Sequence, residues 1–164
     1  MIKVAIVTVS DSTVAGTRED LSGPALEQRV AELGWTLKQR ALVPDDRTLI
    51  AKTIVNLCDC DVILTTGGTG LGPRDVTPEA VKLIAEREVP GFGEMMRTEG
   101  LKSTIFAPLS RGGAVTRAST LIVMLPGSPR GAVDSLNAIC SLIPHAVELL
   151  QGRTEHKEKL GGSS

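Results

Sequence analysis

Three segments of this chain are almost wholly apolar and β-branched, and each runs directly into a loop of small residues. They are IKVAIVTV (2–9), followed by SDST, DVILTT (61–66), followed by GGTGLGPRD, and TLIVML (120–125), followed by PGSPR. A strand that lacks polar alternation must be buried on both faces, which only a sheet covered on both sides allows. Between these runs lie segments with helical spacing and helix-end signals. SGPALEQRVAELG offers Ser22 or Gly23 as a cap, Pro24 in the first turn and Gly34 as a stop. PDDRTLIAKTIVNLC opens with carboxylates suited to a helix N-terminus. VTPEAVKLIAER has Thr77 as its expected cap and Pro78 in its first turn; PRGAVDSLNAI follows a cap at Ser128. PGFGEMMRTEGLKS predicts a further short helix, and residues 144–150 a last one. WTLKQRALV alternates only in part and predicts a strand near an edge. Repeated strand–loop–helix units imply an α/β fold, a three-layer α/β/α sandwich around a mostly parallel sheet. The stretch 102–118 fits this pattern least and is expected to form a small antiparallel hairpin or arm. Residues 1–152 form one expected domain, and 153–164 a flexible tail.

At 164 residues the chain is long enough for a sizeable core, and its aliphatic content must supply it, since aromatics make up 2%. The net charge of −1 and the lack of clustered Lys/Arg with interleaved aromatics argue against a nucleic-acid partner. No run is long and apolar enough for a membrane span, and no secretory leader pattern is evident at the start. Three cysteines without a CxxC and two histidines not spaced with them disfavour disulfides and zinc, and fit a reducing cytoplasm.

In an open α/β sheet, ligands bind beyond the carboxyl ends of the strands, so the loops following the strands define a candidate site. They carry Ser10 and Asp11, then Asp45 and Asp46, then Thr66 to Asp75, then Pro126, Gly127 and Ser128. Gly67, Gly68, Gly70 and Gly72 can adopt positive φ and let amide N–H groups approach an anion; Thr66 and Thr69 add hydroxyls. The helix expected from Thr77 adds a favourable dipole. Phosphate is the natural ligand. No Lys follows in the GxxxxGK[ST] pattern and the spacing is not GxGxxG, so neither a P-loop NTPase nor an ordinary dinucleotide enzyme is indicated. Carboxylates Asp45, Asp46 and Asp75 would repel a phosphate unless a bridging Mg²⁺ joins them, although Asp45 and Asp46 also suit helix capping. Arg74, Arg111 and Arg130 fall in loops where they could contact phosphate or simply face solvent. No histidine is placed to make Ser10, Ser110 or Ser128 a hydrolase nucleophile.

The stretch TTGGTGLGPRDVTPEA (65–80), together with VSDS, PDD, REVPGFGEMMR, LSR and LPGSP, resembles the molybdenum-cofactor biosynthesis family that includes molybdopterin adenylyltransferases and the amino-terminal domain of gephyrin. The motifs fall in the family's order over roughly residues 4 to 150. The resemblance implies a homotrimer, and Mg-ATP-dependent adenylylation of molybdopterin with release of pyrophosphate. It implies Asp45 and Asp75 as metal-linked catalytic carboxylates, with Asp46 a neighbouring metal candidate. The loop Gly67 to Gly70 would hold nucleotide phosphate, and Thr66, Thr69, Arg74 and Pro126 belong to the same binding set. Ser10, Asp11, Ser110, Arg111, Gly127 and Ser128 match positions expected to line the nucleotide or pterin pocket. A contact with the molybdenum-insertion protein is also implied. Two other functions stay open: a non-catalytic molybdopterin-binding or delivery protein of the same family, and a nucleotide phosphohydrolase.

Overall fold

The structure is a computed structural model and describes residues 1–153; the tail expected over 153–164 lies, beyond Arg153, outside the described residues. Six strands form one sheet in the order β2-β1-β3-β6-β5-β4. The parallel block comprises β1 (Lys3–Val9), β2 (Thr36–Val43), β3 (Val62–Thr66) and β6 (Thr120–Leu125). Two antiparallel strands, β5 (Gly113–Arg117) and β4 (Arg87–Val89), extend it beyond β6.

Alternate residues of the apolar runs face opposite layers. Val4, Ile6, Val62, Leu64, Leu121 and Val123 pack with helices α2 (Ser22–Glu32), α5 (Pro90–Gly100), α6 (Pro129–Ile139) and α7 (Ile143–Leu150). Ala5, Val7, Ile63, Ile122 and Met124 pack with α3 (Arg47–Asn56) and α4 (Thr77–Lys82). A continuous apolar run is therefore required, because both faces of each central strand are dry. Ile63 is fully buried, and trimming it to Ala would cost about 2–5 kcal/mol. Among the described residues no single helix is long and apolar enough to cross a membrane; α6 and α7 are apolar together but bend by 66°.

Local signals hold in most places and fail in three. Gly34 ends α2 with φ +75°, and Ser128 caps α6. The N-terminus of α2 is instead capped from outside the expected pair: Asp20 Oδ1 accepts from the Gly23 amide at 2.9 Å. Thr77 is the first residue of α4 and not its cap, because its hydroxyl donates to the Gly67 carbonyl at 2.9 Å. The helix expected to reach residue 87 stops at Lys82, since the chain turns to pair with β5, with the Glu86 amide donating to Thr116 O at 2.8 Å. The awkward segment 102–118 contains a short 3₁₀ turn, Ala107–Leu109, and then β5, whose hairpin with β6 supplies the expected antiparallel arm.

Candidate active site

The carboxyl ends of β1, β2, β3 and β6 meet at a pocket of about 580 Å³. Ser10, Asp11, Asp45, Thr66, Gly67, Gly68, Asp75, Gly127 and Ser128 all line it, so four loops distant in sequence converge there. Each is positioned by a local device. Ser10 caps the short helix α1 (Asp11–Val14), its hydroxyl accepting from the Thr13 amide at 3.2 Å. The Asp11 amide donates to Asp45 Oδ2, and the Asp45 amide donates to Asp11 Oδ1, both at 2.9 Å. Thr66 Oγ1 donates to Pro126 O at 2.7 Å, tying the loop after β3 to the loop after β6.

The glycines serve two different needs. Gly67 and Gly68 have φ of +102° and +70°, the left-handed region that L side chains avoid. A Cβ on Gly67 would stand 2.3 Å from Val9 O, and one on Gly127 would stand 3.2 Å from Gly67 Cα. Gly70 and Gly72 do not take the expected positive φ. They make room for the Asp75 carboxylate, which would lie 2.8 Å and 2.9 Å from their added Cβ atoms and accepts from the Gly72 amide at 2.9 Å.

Charge is unevenly distributed. Burial, reinforced by the neighbouring Asp11 and Asp75 charges, raises the Asp45 pKa. Asp11 is lowered, chiefly by its hydrogen bonds with Arg74, whose Nε and Nη2 reach its two oxygens at 2.9 and 3.1 Å. Among the described residues no cluster of three carboxylate, histidine or cysteine side chains forms a complete cation cage. Asp45 and Asp75 nevertheless each keep one carboxylate oxygen without a donor among those residues. That suits Mg²⁺, which takes one or two carboxylates and completes its shell with water and substrate phosphate.

Several candidates lie elsewhere. Asp46 does not line the pocket, because its carboxylate caps α3 by accepting from the Leu49 amide at 2.9 Å. Thr69 is buried, and Gly70 and Arg74 stand outside the lining. Ser110 and Pro126 line a neighbouring cavity of about 230 Å³, which shares Ser128 with the main pocket. Arg111 lines neither and turns into the glycine loop. Arg130 is exposed and pairs with Asp134. The sequence reading missed Thr8, Arg18, Asp20 and Ser22, which form a further wall of the pocket. Asp20 accepts from the Thr8 hydroxyl at 2.9 Å and from Arg40 at 3.1 Å. The one available signal was position, since this segment also follows β1.

A mostly parallel α/β sheet with a glycine loop and two carboxylates beyond the carboxyl ends of its strands defines a class: open α/β proteins whose ligand site lies at strand ends. The chain belongs to the family whose model, described as "Probable molybdopterin binding domain", matches residues 5–145. It is 40% identical over 156 residues to the molybdopterin adenylyltransferase of Helicobacter pylori strain J99, covering 92% of this chain and 89% of that protein. It is 39% identical over 153 residues to the molybdenum cofactor synthesis protein cinnamon of Drosophila melanogaster, covering 91% of this chain and 26% of that larger protein. The crystal structure of the molybdopterin biosynthesis enzyme MoaB from Thermus thermophilus superposes with a TM-score of 0.87 at 46% identity, covering 93% of this chain and 98% of that one.

Proposed function

We propose that this chain transfers the adenylyl group of ATP to molybdopterin and releases pyrophosphate, a step of molybdenum cofactor biosynthesis. The observation that carries this reading is the convergence of Gly67, Gly68, Asp45, Asp75 and Gly127 on one pocket, in a chain related to molybdopterin adenylyltransferases. In such a transfer an acceptor oxygen bonds to the α-phosphorus while the bond to the pyrophosphate oxygen breaks. The work left to the protein is positioning and charge neutralisation. The Gly68 amide, which has no acceptor among the described residues, would hold the nucleotide phosphates. The Gly67 amide and the Thr66 hydroxyl, committed to Leu125 O and Pro126 O, fix the shape of the loop, and Ser10, Asp11, Gly127 and Ser128 complete the walls. Asp45 and Asp75 would hold Mg²⁺, which when bound screens the phosphate charge that these carboxylates otherwise repel. Two of the pocket serines, Ser10 and Ser128, serve as helix caps, their hydroxyls accepting from the Thr13 and Gly131 amides.

The smaller cavity lined by Ser110, Pro126 and Ser128 gives room beside the nucleotide for a second substrate. A homotrimer is also proposed, supported by the exposed apolar side chains Leu101, Ile105, Phe106 and Leu109 around the 3₁₀ turn. A cytoplasmic setting accords with three free cysteines. Purified protein mixed with molybdopterin, ATP and Mg²⁺ tests the reading. Pyrophosphate release that requires all three supports it. Saturable pterin binding without release would favour a delivery role, and ATP cleavage without pterin a phosphohydrolase.

A further inference from the structure

Arg111 lies in the segment least explained by the sequence, and its contacts are directed at the glycine loop and the first turn of α4. Its amide donates to Thr69 O at 2.8 Å, Nε to Gly70 O at 3.0 Å and Nη2 to Asp75 O at 2.8 Å, while Nη1 pairs with the Glu79 carboxylate. The ion pair neutralises the guanidinium and lowers the Glu79 pKa. The loop from Thr69 to Val76 has little else to fix it. Within itself it makes the Asp75 N to Gly72 O bond at 3.0 Å and the Gly72 N to Asp75 Oδ2 bond at 2.9 Å. Among the described residues its one other polar link to a distant segment is the exposed Arg74–Asp11 pair, while Val76 at its end packs against the core. Among the described residues, the one other group from outside the loop that donates to its main-chain carbonyls is the Ala80 amide, which bonds Val76 O at 2.9 Å as α4 begins.

A trans peptide directs its C=O and the following N–H to opposite sides. With Thr69 O and Gly70 O turned toward Arg111, the Gly70 and Leu71 amides point the other way, and neither has an acceptor among the described residues. Consecutive donors of this kind attract anions, and these two stand beside the pocket lining, on the stretch of loop that joins Gly68 to Asp75. The hydrogen bond to Asp75 O also fixes the main chain from which a pocket carboxylate projects.

We propose that Arg111 is a positioning residue for adenylyl transfer: by holding three carbonyls of the glycine loop it sets the loop amides and the Asp75 carboxylate, without touching substrate. Lysine cannot reproduce this, since it offers one compact ammonium where Arg111 uses a planar fork with three separate directions. The inference rests on the transferase reading above, so the test has an arm independent of turnover. Arg111→Lys should retain a cooperative thermal transition. It should lower kcat by about 10- to 100-fold, as expected when reacting groups are displaced by about 1 Å. KM for ATP should rise while KM for molybdopterin stays within about threefold, because the loop is assigned to the nucleotide. Guanidinium ion at low millimolar concentration should restore part of the activity of Arg111→Ala. Amide hydrogen exchange at residues 69–76 should speed up in both variants relative to wild type. Unchanged exchange there, or kcat and ATP KM within threefold of wild type, overturns the proposal, as does a lowered Tm with unaltered kinetics. Should Arg111→Ala fail to fold, Arg111→Lys decides alone. Should wild type release no pyrophosphate, the transferase reading falls, and the exchange experiment still decides whether Arg111 sets the loop.

Discussion

The Asp11 and Asp45 carboxylates each accept the other residue's backbone amide at 2.9 Å, so the loops that follow β1 and β2 are fastened by a reciprocal pair. Two acidic side chains are thereby held at the mouth of one pocket. Each amide offsets part of the repulsion, and Arg74 compensates only Asp11 directly. Asp45 carries the residual strain as a raised pKa, with burial as the main cause.

Replacing Asp45 by Asn keeps an acceptor for the Asp11 amide and removes the charge. Pyrophosphate release should fall on the order of 100-fold or more, the scale seen when one preorganised electrostatic group is lost. Thermal stability should move the opposite way. A carboxyl that holds its proton more tightly when folded loses stability as pH rises from the ordinary aspartate value through its raised one. Above that window the Asn variant should melt higher than wild type, and below it the two should coincide. Calorimetry across pH 3 to 8 checks this.

Arg74 lowers the Asp45 pKa through its field and the Asp11 pKa through direct hydrogen bonds. In metal-free Arg74→Ala both carboxyls should therefore titrate at higher pH than in wild type. Carbon-13 NMR of the side-chain carboxyls would detect the shift. Global stability should change little, because the pair is exposed and screened by salt.

Gly67→Ala and Gly16→Ala separate backbone strain from collision. Gly16 has φ +76° with open space where an added methyl would stand, so alanine there should cost about 1 kcal/mol. At Gly67 the same methyl would lie 2.3 Å from Val9 O, on main chain that cannot yield. That variant should lose at least about 3 kcal/mol or fail to accumulate, as judged by urea titration.

Ser128→Ala removes the acceptor for the Gly131 amide at 3.1 Å and should destabilise by about 1 kcal/mol. Because Ser128 borders both cavities, kcat/KM should also drop for both substrates. An unchanged rate would assign the residue to α6 alone.

The parallel strands were legible because a strand covered on both faces leaves an uninterrupted apolar signature, as in Ile63 between two dry layers. The edge strand β4 was not, since Arg87–Val89 is three residues long and mostly exposed. Asp45, Asp75, Gly68 and Gly127 could be grouped because topology puts strand-end loops together. Arg111 could not be placed. From sequence it reads as either a phosphate contact or a solvated side chain, and the resemblance places it in the pocket lining. Its actual partners, the carbonyls of the glycine loop, come from a distant segment that local pattern does not encode. Asp46 shows the same limit: one residue from Asp45, its side chain is claimed by the start of α3. The role of Thr77 likewise depended on Gly67, ten positions away.

Gly67 and Gly127 bring two main chains into touch where β3 and β6 end. The boundary they form has no side chains to exchange, so point substitution has almost nothing there with which to retune what the pocket accepts. Side chains that could alter what the pocket accepts lie on its other walls, Arg18 and the buried Ser22 among them.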